Sequence, residues 1–377
     1  MHDAVAEPHP HIPDVVTKAR PLPAIVGRAL EPVYRAAIAR INRRFDRGLG
    51  ITRFDLPVIS VGNLSVGGTG KSPMVMHIVS ELLRAHLRPC IAMRGYRKRG
   101  RVPARHPDET DAYQRHFPAV PIVAQPDRIA GLRALLAQHN SRPDCIVLDD
   151  GFQHRRIARD IDIVLIDASR SPFNDHLLPY GWLREPVDSL ARATMVVLTH
   201  AELIHARQLI ILSESLASRR SGIGFDAIAR HAWTGLRLAA HNSTDHDHPV
   251  SLDWLLGKRI VASCAIGNPA GFLHSLNATL AVDSRRAGEL VGTLVLPDHD
   301  PFDRETVRVL SEIAHEREAD AIVVTDKDWS KLRHVPAEIW RGRPIVRPDL
   351  SLVFDRGLDE FNRTIVQTVE HRAAQRA

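Results

Sequence analysis

Wound at ~100° per residue, Val33, Tyr34, Ala37, Ile38, Ile41 and Phe45 fall on one arc of ~140°, which predicts an amphipathic helix. Arg35, Arg40, Arg43, Arg44 and Arg47 lie on the remaining arc or at its edge. Leu22, Ile25, Val26, Ala29 and Leu30 extend the stripe backwards. Pro32 is expected to kink or restart the helix, because its ring removes an N–H and crowds the preceding turn. Residues 1–23 are proline-rich and predict loose order. A basic amphipathic helix suits an anionic bilayer surface, or equally a core contact with a solvated arginine face.

Further along, the apolar pattern alternates between strand and helix. A β-branched run from Val58 to Val61 enters a glycine-rich turn, and Met74 to Leu87 has helical periodicity. Pro89–Met93 predicts a strand, 97–105 a basic loop, and Asp127–His139 a helix. Cys145–Leu148, Ile161–Ile166 and Thr194–Leu198 predict three buried strands, so this part is a parallel α/β sheet. The pattern breaks down over 219–256, where the His- and Asp-rich run His241–His248 suits a solvated loop better than a metal site. It resumes with a strand at Arg259–Ala265, a turn at Gly267-Asn268-Pro269 leading into a helix, a helix at Thr306–Ala314 and a strand at Ala321–Val324. The expected organisation is a basic surface segment (1–50), a larger α/β domain (51–225) and a linker with a smaller α/β domain (226–349). A C-terminal helix within 350–377 is expected to pack back on the larger domain.

Composition narrows this picture only slightly. The chain has 377 residues, enough for two domains, and 25% charged residues, ordinary for a soluble protein. Its net charge of +6 admits anionic partners. Cys90, Cys145 and Cys264 are widely spaced, form no zinc pattern and point to a reducing compartment. No apolar run has the length of a spanning helix, the N-terminal residues do not read as a signal peptide, and no internal repeat is apparent.

The candidate chemistry begins at Gly67-Gly68-Thr69-Gly70-Lys71-Ser72, between a strand and a helix. Glycines let backbone N–H groups converge on an anion, and the helix N-terminus adds its dipole. Lys71 can reach the outer phosphates of a nucleotide and the Ser72 hydroxyl can hold Mg2+. Ser65 stands where the usual pattern has its first glycine. Asp149 and Asp150 end an apolar strand downstream, as carboxylates that hold Mg2+ do in this class. The fold class is therefore a P-loop NTPase-type α/β sheet with a second, smaller α/β domain. Next to them, Gln153 can orient a reacting oxygen and His154 can donate to phosphate, although structural roles suit both equally. Phe152 suits the core.

The motifs together resemble the tetraacyldisaccharide 4′-kinase (lipid A 4′-kinase) family over roughly residues 22 to 335. The resemblance rests on Val61–Pro73, Arg94-Gly95-Tyr96, Asp149–Arg155 and Asp160–Val164. It continues through Leu177-Leu178-Pro179 with Gly181, Leu183-Arg184-Glu185-Pro186, Gly267-Asn268-Pro269, Pro297-Asp298-His299 and Thr325–Asp328. Ser65 fits too, since the family carries Ser or Thr there.

The resemblance implies a phosphotransferase with an alcohol acceptor. It would use ATP and Mg2+ on the 4′-hydroxyl of a tetraacylated disaccharide 1-phosphate, the lipid A precursor. It further implies a peripheral protein at the cytoplasmic face of the inner membrane, with the basic helix on an anionic surface, no nucleic acid partner and no obligate protein partner. By position, Asp108 matches the family's general base and His299 its histidine partner, with Thr110 replacing the family's proline and Asp111 as the alternative base. Lys71 and Asp150 complete the catalytic set. Glu109 is implied beside Ser72 and Asp149 at Mg2+, and Tyr96 and Arg128 at the disaccharide. A P-loop switch or metallochaperone is the competing enzyme class, and the lack of paired cysteine spacing counts against the metallochaperone. A purely membrane-binding module would leave Lys71, Ser72 and Asp149 without a role.

Overall fold

The computed structural model describes residues 21–95, 108–138, 142–239, 247–298 and 300–375, and of Asp108, Glu109 and Asp111 the backbone alone. Tyr96, His299 and the run 240–246 lie outside the described residues. The strands are β1 (Val58–Asn63), β2 (Pro89–Met93), β3 (Ile122–Ala124), β4 (Cys145–Asp149), β5 (Ile161–Asp167) and β6 (Met195–Thr199), then β7 (Ala227–Leu238), β8 (His248–Val250), β9 (Arg259–Cys264), β10 (Glu289–Val295), β11 (Ala321–Val324) and β12 (Ile345–Arg356). The helices are α1 (Ala24–Asp46), α2 (Lys71–Arg84), α3 (Asp108–His116), α4 (Arg128–Leu136), α5 (Ala206–Ala217), α6 (Pro269–Leu280), α7 (Arg304–Glu316), α8 (Asp326–Leu332) and α9 (Leu358–Ala374).

All twelve strands join one sheet in the order β10-β9-β11-β12-β7-β6-β5-β1-β4-β2-β3, with β8 on β7. Among the described residues, only the β7–β12 and β7–β8 strand pairs are antiparallel. Strands β1, β4 and β5 are buried along their whole length, which explains why they read as continuous apolar runs. On one face, Met74, Val75, Ile78 and Leu82 of α2 and Phe361, Ile365 and Val369 of α9 share a core with Ile59, Val61, Val147 and Ile163. Each such side chain contributes roughly 1.5–3 kcal/mol by leaving water. On the other face, Ile129 and Leu132 of α4 pack with Cys90, Ala92, Ile146 and Leu148. The expected division near residue 226 falls at the start of β7, and the sheet passes through it unbroken.

The longest strands, β7 and β12, are absent from the sequence-based expectation. They pair from Val346↔Leu238 to Arg356↔Ile228, with register shifts at Asp349/Leu350 and Phe354/Arg356. Their flanking partners are short. Strand β6 pairs only with Ala227–Ala229, β11 only with Ile345–Val346, and β8 only with Leu236–Leu238. Between these, residues 231–235 and 349–352 have only each other. A half-exposed ribbon needs neither a clean alternation nor an apolar run, so its pattern is indistinct.

Helix α1 does not restart at Pro32: it is one helix from Ala24 to Asp46 with Pro32 inside it. Arg28 and Pro32 are both exposed, so the carbonyl deprived of its helical partner lies at the wet surface. The predicted apolar arc also splits in two. Gly27, Glu31, Tyr34, Ile38, Asn42 and Phe45 face the body of the protein, and a Cβ at Gly27 would lie 2.9 Å from Tyr180 Cα. The Tyr34 hydroxyl donates to the Arg184 carbonyl (3.0 Å), and Asn42 donates to Glu185 (3.0 Å). Val26, Leu30, Val33, Ala37 and Ile41 form a second stripe, ~100° around the helix, that stays exposed; Val33 is 65% and Ile41 50% accessible. Arg40, Arg44 and Arg47 flank it.

Candidate active site

The loop between β1 and α2 requires glycine at two positions by geometry. Gly67 has φ 139° and Gly70, the residue capping α2, has φ 84°, conformations that other residues rarely adopt. Lys71 therefore opens α2 with its ammonium over the sheet's C-terminal edge. Strand β4 lies beside β1 with Asp149 opposite Val61, which brings the Asp149-Asp150 turn against the loop. A Cβ at Gly62 would lie 2.5 Å from Phe152 Cβ, so this approach is as close as backbone permits. Phe152 itself is fully buried.

The two carboxylates have different surroundings. Asp149 is 4% exposed, and its Oδ2 accepts the Tyr113 hydroxyl of α3 at 3.0 Å. Asp150 has φ 50°, a sparsely populated conformation for a side-chain-bearing residue. Its Oδ1 lies 3.7 Å from Lys71 Nζ, and Arg184 donates to both of its oxygens at 3.0 and 2.9 Å. The Arg128 guanidinium donates to the Asp150 carbonyl at 3.3 Å. Burial works against the Asp150 charge, but Lys71, Arg184 and Arg128 outweigh it and hold the pKa below the usual carboxylate value. Burial lowers the Arg128 pKa, offset in part by Asp150 and Asp149.

Gln153 donates to the Asn63 carbonyl (2.8 Å) and accepts from Arg184 (3.2 Å). Burial, then the positive charges of Arg128, Arg159 and Arg156, push the His154 pKa down to about 4, so its imidazole is neutral at pH 7. Around the loop, the Asn63 amide, Thr69 Oγ1 and His154 Nε2 are buried without hydrogen-bond partners among the described residues. Unmet buried polar atoms are costly, and their concentration at one loop suits a polar, anionic ligand. Ser72, in the first turn of α2, and Asp149, at the end of β4, suit a Mg2+ ion, which needs only one or two protein ligands beside phosphate oxygens. Among the described residues, the site included, no group of three or more His, Cys, Asp or Glu side chains could hold a metal ion.

Asp108 and Glu109 begin α3, the helix tied to Asp149 through Tyr113. The segment before His299 also reaches the site. A Cβ on Gly267 would lie 2.8 Å from the Gly68 amide nitrogen and 3.4 Å from Asp298 Oδ2. Lys327 lies 3.4 Å from the other Asp298 oxygen. Two participants carried no sequence expectation of a role. Arg184 stood within a quoted motif but without a function, and Tyr113 gave no signal, since one tyrosine in a polar nine-residue helix has no pattern to distinguish it.

A family model described as tetraacyldisaccharide-1-P 4′-kinase (LpxK) matches residues 24–367. The chain is similar to a tetraacyldisaccharide 4′-kinase of Anaeromyxobacter dehalogenans (strain 2CP-1 / ATCC BAA-258), with 35% identity over 90% of this chain and 89% of that protein. It is similar to one from Pseudomonas entomophila (strain L48), with 33% identity over 83% and 84% of the two chains. Among solved structures, it resembles the "apo" form of LpxK from Aquifex aeolicus in complex with ATP. The TM-score is 0.61 and the identity 25%, covering 91% of this chain and 98% of that one. With a strand–glycine loop–helix and an acidic strand end of matching chemistry, the chain belongs to the tetraacyldisaccharide-1-P 4′-kinase family.

Proposed function

We propose that the protein transfers the γ-phosphoryl group of ATP to the 4′-hydroxyl of a tetraacylated glucosamine disaccharide 1-phosphate at an anionic membrane surface. The observation that carries this reading is Lys71 beside Asp150 and Arg184 at a glycine loop, in a chain of this family. ATP is bound by the solved relative of the same fold, which supports ATP as the donor here. The switch or metallochaperone alternative is not favoured by relatives named as kinases along most of their length.

In the reaction, the 4′ oxygen attacks the γ-phosphorus as the bond to the β-phosphate oxygen breaks. Asp108 takes the hydroxyl proton with His299 as its partner, and ADP leaves. Lys71 and the loop amides hold the phosphates, and Arg184 and Arg128 keep Asp150 ionised at the loop's edge. Ser72, Asp149 and Glu109 would hold Mg2+, which neutralises charge on the phosphate oxygens when bound. Tyr96, Arg128, Gln153 and His154 are assigned to the acceptor sugar and its phosphate. The exposed stripe of α1, flanked by arginines, supports a peripheral seat on anionic lipid, and no helix among the described residues is long and apolar enough to cross a membrane.

The test is incubation with γ-labelled ATP and the acylated disaccharide 1-phosphate, with and without lipid vesicles. The expected product is the labelled 1,4′-bisphosphate, formed faster with vesicles. Hydrolysis of ATP with no labelled lipid would return the protein to the switch class.

A further inference from the structure

A buried chain of polar side chains lies behind the phosphate loop, and the reaction as assigned makes no use of it. Asp167 ends β5, His200 follows β6 and His231 sits on β7. Asp167 Oδ1 accepts from the Ser169 hydroxyl at 2.6 Å and faces His200 Nδ1 at 3.4 Å. His200 Nε2 lies 3.2 Å from His231 Nδ1. The chain ends on His231 Nε2, which is buried and has no hydrogen-bond partner among the described residues. That atom faces the loop: a Cβ on Gly70 would lie 2.7 Å from it. Thr199, one residue before His200, donates to the Thr69 carbonyl at 3.2 Å. The last turn of the loop thus rests on a hydroxyl and an imidazole, next to the unpartnered Thr69 Oγ1.

The chain has a direction. Burial raises the Asp167 pKa, but the His200 contact and Ser169 outweigh it and hold the carboxyl ionised. An ionised carboxylate only accepts, so it favours a proton on His200 Nδ1, which faces it at ion-pair distance without hydrogen-bond geometry. Burial and the neighbouring His200 push the His231 pKa down to about 3, so His231 is neutral and carries one ring proton. If that proton sits on Nδ1, the lone pair of Nε2 faces the loop. If His200 carries a proton on each nitrogen and donates from Nε2 as well as facing Asp167 through Nδ1, the His231 proton sits on Nε2 and faces the loop. A polyanion in the loop selects the second arrangement, because it needs donors and adds none; the additional proton on His200 comes from solvent.

We propose that His231 is a positioning residue for the nucleoside triphosphate, acting at the Gly70 turn through Nε2–H, with Asp167 and His200 setting its tautomer. This rests on the phosphate-loop reading of residues 67–72. It accounts for three features that have no other use here: the buried chain, its unpartnered end and its aim at Gly70, where a Cβ would meet the imidazole.

The test compares His231→Phe, which keeps the ring and deletes both nitrogens, with His231→Gln, which keeps an amide donor. ATP affinity is measured by calorimetry in the presence of Mg2+, and KM for the lipid acceptor is measured separately. His231→Phe is expected to weaken ATP binding about tenfold or more, the usual effect of losing a hydrogen bond to a charged group, while the lipid KM stays unchanged. His231→Gln is expected to recover most of the loss. Nitrogen-15 histidine spectra of the unaltered protein should show the His231 Nε2 resonance shifting when inorganic tripolyphosphate is added, which decides the matter even if His231→Phe does not fold. A purely packing role predicts a lower melting temperature with unchanged ATP affinity. That result, with a Nε2 resonance indifferent to tripolyphosphate, overturns the proposal. Lys71→Ala serves as the control. If it too leaves ATP binding intact, the phosphate-loop reading fails. If it abolishes binding while His231→Phe does not, only the assignment of His231 fails.

Discussion

Lys71 Nζ and Asp150 Oδ1 lie 3.7 Å apart across the mouth of the phosphate loop, and Arg184 grips the same carboxylate from its other side. The lysine is therefore held over the loop before any phosphate arrives, with its charge already balanced. Lys71→Ala should lower turnover by ~10²-fold or more, as expected for a contact made to developing charge. Ser72→Ala should raise the Mg2+ concentration needed for half-maximal rate. Steady-state kinetics with a Mg2+ titration checks both; near-normal turnover in Lys71→Ala would remove the basis for a phosphate loop.

Arg184 joins three things: the Asp150 carboxylate, the Gln153 amide oxygen and, through its carbonyl, the Tyr34 hydroxyl of α1. Arg184→Ala should reduce turnover by ~10-fold to 10²-fold, since it leaves a buried carboxylate half-compensated. Tyr34→Phe keeps the ring and loses one hydrogen bond, so its effect should stay within about threefold. If Arg184→Ala matches the unaltered protein at saturating ATP and lipid, its pairing with Asp150 is only structural.

Asp108 and His299 are expected to act as one unit in taking the acceptor's proton. Groups that share a step lose additivity, so the double alanine variant should be little slower than the more damaged single variant, with ATP binding retained in all three. Multiplicative losses across pH 6 to 10 would mean separate roles. A fully active Asp108→Ala would shift the base to Asp111.

Much of this was legible in the sequence, and the reasons differ by element. Strands β2 and β11 fall where the apolar runs lie, because a strand buried on both faces has nothing else to encode. The loop was legible because its glycines answer to backbone geometry, which no side chain can supply. By contrast, β7 and β12 were hidden by their half-exposed setting, and Tyr113 and His231 by distance: each acquires meaning only from partners 31 or more residues away. The amphipathic helix was legible as a helix, but not in how its apolar arc is shared between protein and solvent.

That shared arc makes a further prediction. Arg40, Arg44 and Arg47→Glu should release the protein from anionic vesicles, since each basic residue near such a surface contributes ~1 kcal/mol and three therefore about 100-fold in partitioning. Val33→Asp with Ile41→Asp should act the same way through the exposed stripe. Melting behaviour should change little, because none of these five side chains faces the core. Undiminished co-sedimentation at low salt in both variants would exclude this helix as the membrane seat.

Acid should destabilise the fold in two separate windows. His154, His77 and His231 all have folded pKa values below the ordinary 6.5, to about 4 for His154 and about 3 for His231, with burial the first cause in each. A depressed histidine favours the unfolded chain once protons are available, so this stability is complete above about pH 6.5 and declines as the pH falls towards the folded values. The lowered Asp150 adds a later loss, below its ordinary 3.8. The melting temperature should thus fall between pH 7.5 and pH 5, and His154→Gln should fall less over the same interval. Equal slopes for the two proteins would mean that His154 is neutral in the fold for no energetic consequence.

The ribbon of β7 and β12 has a mechanical meaning. Six strands, β6 through β3, stand on one flank and three, β10 through β11, on the other, and each has its strand neighbours, whereas residues 231–235 and 349–352 pair only with each other. Stiffness against twisting grows with the width of a sheet, and two-stranded ribbons twist most freely. The ribbon is therefore the part of the sheet where twist is least constrained by strand pairing. His231 is set in that ribbon with its ring against Gly70, so a change of twist there bears directly on the phosphate loop.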